Sequence, residues 1–188
     1  KETYNGDVPT LADRACYDYA KKISEVTSFV YYKYHSVKST IIRPFNVYHL
    51  NSQKDRRILP SMMNSILKNE PIIIYGDGQQ TRTYTFCTDF IVGMIKTILH
   101  GRCAEAYNIG SSSPEINLID LANKLREASR SNVSIEFQPY PEIYPKTEPK
   151  RRCPNTTKAK EEFGFECTVS LENGLKRFYN WAKETYQY

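Results

Sequence analysis

The stretch RACYDYAKKISEVTSFVYYKYHSVKSTIIRPFN, residues 14–46, decides how the rest of the chain is read. Ile23, Val26, Thr27, Val30 and Tyr34 recur at helical spacing, which predicts one long helix over 13–35. Residues 39–43 are short and β-branched, so a strand follows directly and is expected to stop at Pro44. Tyr17 and Lys21 stand four residues apart, which puts both side chains on one helix face, a turn apart. An ammonium group held beside a phenol favours the phenolate. It brings a hydroxyl whose ordinary pKa is about 10 toward proton transfer at neutral pH. The same pair also suits an ordinary half-exposed helix face, so the flanking sequence has to decide.

Outward from this unit, helices and strands alternate. Residues 1–13 are polar and form a loop into the helix, and 47–57 form a second polar loop. A helix over 59–67 carries Pro60 in its first turn, where a missing N–H costs nothing. The strand 70–75 ends at Gly76-Asp77-Gly78, a tight-turn signal. Residues 82–86 alternate as a short strand, and Asp89 is expected to cap a helix over 90–99. A strand at 106–109, a helix from Asn117 or Leu118 to 128 and a strand at 133–137 follow. Residues 138–154 hold five prolines without periodicity and read as a long functional loop. A short helix over 158–163 and a final helix from Ser170 to 186, with Leu171, Leu175, Phe178 and Trp181 on one face, complete the chain. The alternation indicates an α/β fold. No G-x-G-x-x-G or G-x-x-G-x-x-G opens a helix after a strand, so these residues do not themselves cradle a dinucleotide pyrophosphate.

Composition narrows the function. Hydrophobic residues make up 40% of the chain, enough to bury a core. The net charge of +5 comes from lysines and arginines scattered among acids, with only Lys150, Arg151 and Arg152 clustered. That pattern suits a small polyanionic ligand and lacks the basic stripe of a nucleic-acid binder. No apolar run has the length of a membrane span, and KETYNGD does not resemble a signal peptide. Five cysteines (16, 87, 103, 153 and 167) without C-x-x-C spacing point to buried, reduced thiols in a cytoplasmic protein. The three histidines are widely spaced, so no metal site is expected.

Five blocks then carry a family likeness: R-x-C-Y-D-x-x-K at 14–21, R-P-F-N-V-Y at 43–48, P-I-x-I-Y-G-D-G-Q-Q-T-R-x-Y-x-F-x-x-D at 71–89, Y-N-I-G at 107–110, and R-C-P-N-x-x-K-A-x-x-x-F-G-F at 152–165. In this order and spacing they resemble the nucleotide-sugar epimerase/dehydratase branch of the extended short-chain dehydrogenase/reductase family. The nearest likeness is to its UDP-glucuronate decarboxylase and dTDP-glucose 4,6-dehydratase-like group. The resemblance implies the remainder of a Rossmann-type doubly wound sheet plus a small α/β substrate-binding lobe, lacking the N-terminal dinucleotide-binding strands. Residues 1–47 would be the end of the Rossmann domain with its catalytic helix. Residues 48–188 would be mainly the nucleotide-sugar lobe, with about 83–110 returning to the Rossmann sheet.

The resemblance also implies roles. Tyr17 would take the proton of the sugar 4-hydroxyl while NAD is reduced, and Lys21 would assist it and hold the nicotinamide ribose; Pro44 would lie beside the cofactor. Arg82 and Arg152 would face the diphosphate, where planar guanidinium forks match phosphate oxygens. Asn46 would hydrogen-bond phosphate or sugar, Ile73 and Tyr75 would flank the base, and Arg57 is a further substrate contact. The partners implied are a nucleoside-diphosphate sugar, a missing N-terminal Rossmann half and a second copy, paired through the helix at 13–35 with its tyrosines 31, 32 and 34.

Two departures are visible. Tyr48-His49-Leu50 replaces the usual Y-G-P, with Asn51 where the decarboxylases carry arginine, which argues against uronic-acid decarboxylation; Asn155 replaces a usual aspartate. The expected function is therefore the catalytic and substrate-binding half of an NAD-dependent epimerase/dehydratase working through transient oxidation at sugar C4. UDP-glucuronate decarboxylase is the alternative. A non-catalytic nucleotide-sugar-binding fragment is the alternative of another class, since the 188 residues alone would be inactive.

Overall fold

A computed structural model describes residues 2–3, 10–13, 15–49, 57–142 and 149–186. The long helix α1 spans Ala15–His35 and the strand β1 spans Ile41–Pro44. Pro44 does not stop the strand but ends it from within, paired with Ile109; the next N–H, that of Phe45, continues the ladder to the Ile109 carbonyl. β1 lies parallel to β6 (Ala106–Ile109), with Ile41 opposite Ala106. Helix α1 folds back along β1 in the opposite direction. Ser28 Oγ meets Ser39 Oγ at 2.8 Å, and Arg43 grips Glu25 through two bonds of 2.7 and 2.6 Å. Of the helix, only Ala15 is buried; Ile23, Val26, Thr27, Val30 and Tyr34, the residues that recur at helical spacing, lie open to solvent.

Beyond Asn46 the chain makes short strands. The segment expected to be loop begins with β2 (Val47–Tyr48), parallel to β5 (Thr85–Phe86), with Tyr48 buried. The single strand expected over 82–86 is two: β4 (Thr81–Arg82) and β5 join different sheets. β4 is the middle of a three-stranded sheet, antiparallel to β7 (Ile116–Asn117) and parallel to β9 (Arg151–Arg152). β3 (Ile72–Tyr75) pairs in parallel with β8 (Ile135–Gln138). Their alternation buries Ile72 and Ile74 and turns Ile73 and Tyr75 outward.

The main core gathers β3 and three helices, α2 (Ile58–Leu67), α4 (Leu118–Ser129) and α6 (Leu171–Thr185), around Met63, Ile72, Leu121, Leu125, Leu175 and Phe178. Asn117 and Ser170 cap α4 and α6 by accepting from the backbone N–H of Asp120 and Asn173. A smaller cluster of Tyr107, Ile109, Ala159 and Phe165 joins β6 to α3 (Cys87–His100) and α5 (Thr157–Phe163). Asp89 is not the cap of α3. It sits in the first turn, buried, and accepts from Thr168 Oγ1 and the Val169 N–H at 2.9 Å each, fastening the segment that leads into α6.

Gly93 lets α3 lie directly on β6. A Cβ there would stand 2.4 Å from Ile109 Cγ2 and 2.6 Å from the Phe165 ring. Gly93→Ala is therefore expected to destabilise the protein by about 1–3 kcal/mol through overpacking, despite the better helix propensity of alanine. A urea unfolding curve checks this, and an unchanged midpoint would show that α3 and β6 are not in this contact.

The thiols differ from expectation as well. All five cysteines are free, but none is fully buried, and Cys16 is exposed. Cys167 is half-buried, and burial pushes its thiol up to about 12. Among the described residues no helix is long and apolar enough to cross a membrane.

Candidate active site

The Tyr17–Lys21 pair forms as its spacing requires. Both side chains are exposed on α1, and the Lys21 ammonium lies over the Tyr17 ring, 5.7 Å from its centre. The ion pair Glu25–Arg43 fixes where the two residues stand relative to the strands. Because α1 runs opposite to β1, Lys21 and Tyr17, which precede Glu25 on the helix, lie toward the end of β1 that leads to Pro44 and Asn46.

Asn46 adopts a left-handed backbone at φ 41, a region open to asparagine at little cost. Its carbonyl accepts from Thr85 N–H at 3.2 Å, and its Nδ2 donates to the Thr83 carbonyl at 2.8 Å. Both bonds join the end of β1 to the segment that leads out of β4. Thr85, fully enclosed, strengthens the junction by donating to the Phe45 carbonyl at 2.8 Å and accepting from Ser111 N–H at 2.9 Å. Gly110 is needed beside it, because a Cβ there would come within 2.9 Å of Thr85 Oγ1.

From Thr83 the chain runs back to the arginines. Arg82 and Arg152 are register partners in adjacent parallel strands, so both side chains leave the same face of the sheet. Arg82 is 7% exposed, and its guanidinium donates to the carbonyls of Thr81 (2.8 Å), Lys150 (3.1 Å) and Pro149 (2.5 Å). It thus holds the chain entering β9, while Arg152 is only half-buried. Arg57 is exposed, against the Val47 carbonyl and His49. Ile73 and Tyr75 share the outer face of β3, where Tyr75 stands 6.5 Å from Tyr140, centre to centre. Asn51 lies outside the described residues.

The structure thus directs Tyr17 and Lys21 toward the end of β1 that holds Pro44 and Asn46, and connects Asn46 through Thr83 to the strand of Arg82 and its neighbour Arg152. Three contributors were not foreseen. Tyr140 comes beside Tyr75 only through the pairing of β3 with β8. Thr85 acts through a carbonyl forty residues away in sequence. Glu115 accepts from Thr81 Oγ1 and from Arg151 across the β7–β4–β9 sheet, and the Arg151 guanidinium holds its carboxyl below the usual carboxylate range. None has a local sequence signal, because each role depends on a distant partner.

Over 175 residues the chain is 35% identical to UDP-glucuronic acid decarboxylase 2 of Arabidopsis thaliana, covering 93% of this chain and 38% of that protein. Its fold superposes on UDP-glucuronic acid 4-epimerase of Bacillus cereus, solved with UDP-glucuronic acid and NAD, with a TM-score of 0.83 and 25% identity over 99% of this chain and 60% of the other. UDP-glucose 4-epimerase of Thermotoga maritima, solved with UDP-glucose, gives a TM-score of 0.82 at 26% identity, over 90% of this chain and 53% of the other. The chain therefore spans between about two fifths and three fifths of these relatives. Residues 1–110 match the family described as NAD dependent epimerase/dehydratase, and the chain belongs to that family.

Proposed function

We propose that this chain is the proton-transfer and substrate-binding half of an NAD-dependent enzyme that epimerises or dehydrates a nucleoside-diphosphate sugar through transient oxidation at C4. The observation that carries the reading is the opposed packing of α1 on β1, which directs Tyr17 and Lys21 toward the end of the strand that leads through Asn46 and Thr83 to Arg82 and Arg152. Tyr17 takes the proton of the sugar 4-hydroxyl, and the Lys21 ammonium, one turn on, lies over its ring. Arg152, with Arg82 beside it, faces the diphosphate. Ile73 and Tyr75 offer an apolar and aromatic wall to the base, and Asn46 and Arg57 contact phosphate or sugar.

The residues present fit one end of NAD. Tyr17 and Lys21 are both exposed, with an ammonium able to donate to ribose hydroxyls, and Pro44 lies at the same end of β1. When bound, NAD supplies the oxidation at C4. The sequence carries no G-x-G-x-x-G motif, so we place the pyrophosphate part of the site on a separate dinucleotide-binding half. Residues 1–47 and about 83–110 then belong to the Rossmann sheet, a division supported by the parallel pairing of β1 with β6. The exposed apolar residues of α1 support a homodimer through that helix. Five free thiols in an odd, unpaired pattern favour the cytoplasm.

A second reading, UDP-glucuronic acid decarboxylation, is favoured by the Arabidopsis relative. Asn51, where the decarboxylases carry arginine, counts against it.

Calorimetric titration of the chain with uridine diphosphate tests the binding half of the proposal. Saturable binding is expected, with Arg152→Ala weakening it roughly tenfold to a hundredfold, the usual worth of a charged hydrogen-bond donor. Absence of binding by the unaltered chain would remove the nucleotide-sugar assignment.

A further inference from the structure

The sheet β7–β4–β9 has only two residues in each strand, yet it carries both arginines of the proposed diphosphate site. Strands this short hold few ladder bonds, so something else must keep the outer strand in register. The structure supplies it on the sheet's opposite face. Glu115, at the entry to β7, reaches across the central strand. Its carboxylate accepts from Thr81 Oγ1 at 2.5 Å on β4 and from Arg151 on β9, Nε at 2.8 Å and the terminal nitrogen at 2.7 Å. One side chain thereby ties all three strands together. Successive residues of a strand alternate faces, so fixing Thr81 and Arg151 on one side aims Arg82 and Arg152 on the other.

We infer that Glu115 is a positioning residue for diphosphate binding: it pins Arg151 so that its neighbour Arg152 is presented beside Arg82. This rests on the nucleotide-sugar reading above. A surface ion pair normally contributes little. This one is a bidentate arginine–carboxylate fork with a third donor from Thr81. Among the described residues β9 is also fastened by Thr81 N–H to the Lys150 carbonyl at 2.9 Å, Thr83 N–H to the Arg152 carbonyl at 3.3 Å, and the Arg82 guanidinium on Pro149 and Lys150. They hold the backbone of β9, whereas Glu115 holds a side chain next to the binding arginine.

The test compares the unaltered chain with Glu115→Gln, Glu115→Asp, Arg151→Gln and the double variant Glu115→Gln/Arg151→Gln. Uridine diphosphate affinity is measured by calorimetry, and exchange of the Thr81 and Thr83 amides by NMR. Glu115→Gln and Arg151→Gln are each expected to weaken binding by about tenfold and to speed exchange at both amides. The double variant should be no worse than either single one, because the two groups act as one unit. Glu115→Asp should recover part of the affinity, which a mere loss of folding would not allow. Affinity unchanged in Glu115→Gln, while the unaltered chain binds, overturns the positioning role and leaves the nucleotide-sugar reading standing. Affinity lost in Glu115→Gln together with its unfolding is resolved by Arg151→Gln: normal binding by that folded variant also overturns the role. If the unaltered chain fails to bind uridine diphosphate, the underlying reading falls and this inference with it.

Discussion

Under the proposed function, Tyr17→Phe is expected to reduce turnover of a nucleotide sugar by roughly a hundredfold to ten-thousandfold, the range of a lost general base. Uridine diphosphate affinity should change by less than about twofold, because Arg82 and Arg152 lie on a separate sheet. The substitution removes one oxygen and keeps the ring, so the stacking of the Lys21 ammonium over it survives. Tyr17 is 54% exposed, so no core contact is lost and the thermal midpoint should stay within a few degrees. Chromatographic turnover assays beside calorimetry separate the two effects. Full activity in the variant would remove Tyr17 as the base, and a parallel loss of affinity would mean that its hydroxyl binds the substrate instead.

The second large effect concerns stability. Phe178 is fully buried where α6 meets the core, with the Tyr48 ring 6.2 Å away, centre to centre. Tyr48 in turn packs edge-on against Phe86, and its buried hydroxyl is pushed well above the usual phenol range by desolvation. Phe178→Ala leaves a void among groups that cannot all move inward, and is expected to cost about 3–5 kcal/mol. For a chain of this size that lowers the melting midpoint by roughly 10 °C or more. Phe178→Leu, which keeps most of the volume, should cost less than half as much. Differential scanning calorimetry distinguishes these outcomes. A loss below about 1 kcal/mol for the alanine variant would show that α6 does not close the core in this way.

Much of the candidate site was legible because its signals are local. The α1 helix, the Tyr17–Lys21 spacing, the Gly76-Asp77-Gly78 turn and the helix starts at Asn117 and Ser170 each follow from residues within a few positions of one another. Helical periodicity did not settle what the α1 face packs against. Ile23, Val26 and Val30 are apolar at the right spacing but lie open to solvent, because periodicity reports a face and not its occupant. Asp89 carried the composition of a cap and became instead a tether for Thr168 and Val169, some eighty residues away. The alternation at 82–86 read as one strand, yet Thr81–Arg82 and Thr85–Phe86 pair with different neighbours, a choice that no local pattern encodes.

By itself, then, the amino-acid order determined the succession of the helices and the four longer strands, the α/β class and the placing of a lysine one turn from a tyrosine. All of these are set by backbone sterics and side-chain spacing within a dozen residues. Only the tertiary structure decided that α1 runs back along β1, that Arg82 turns inward onto carbonyls while Arg152 stands beside it, and that Glu115 ties three strands together. Those outcomes depend on which distant strands pair and in what register. Register is selected by the combined burial and hydrogen bonding of the whole molecule, so short strands such as Thr81–Arg82 and Arg151–Arg152 take their meaning from their partners.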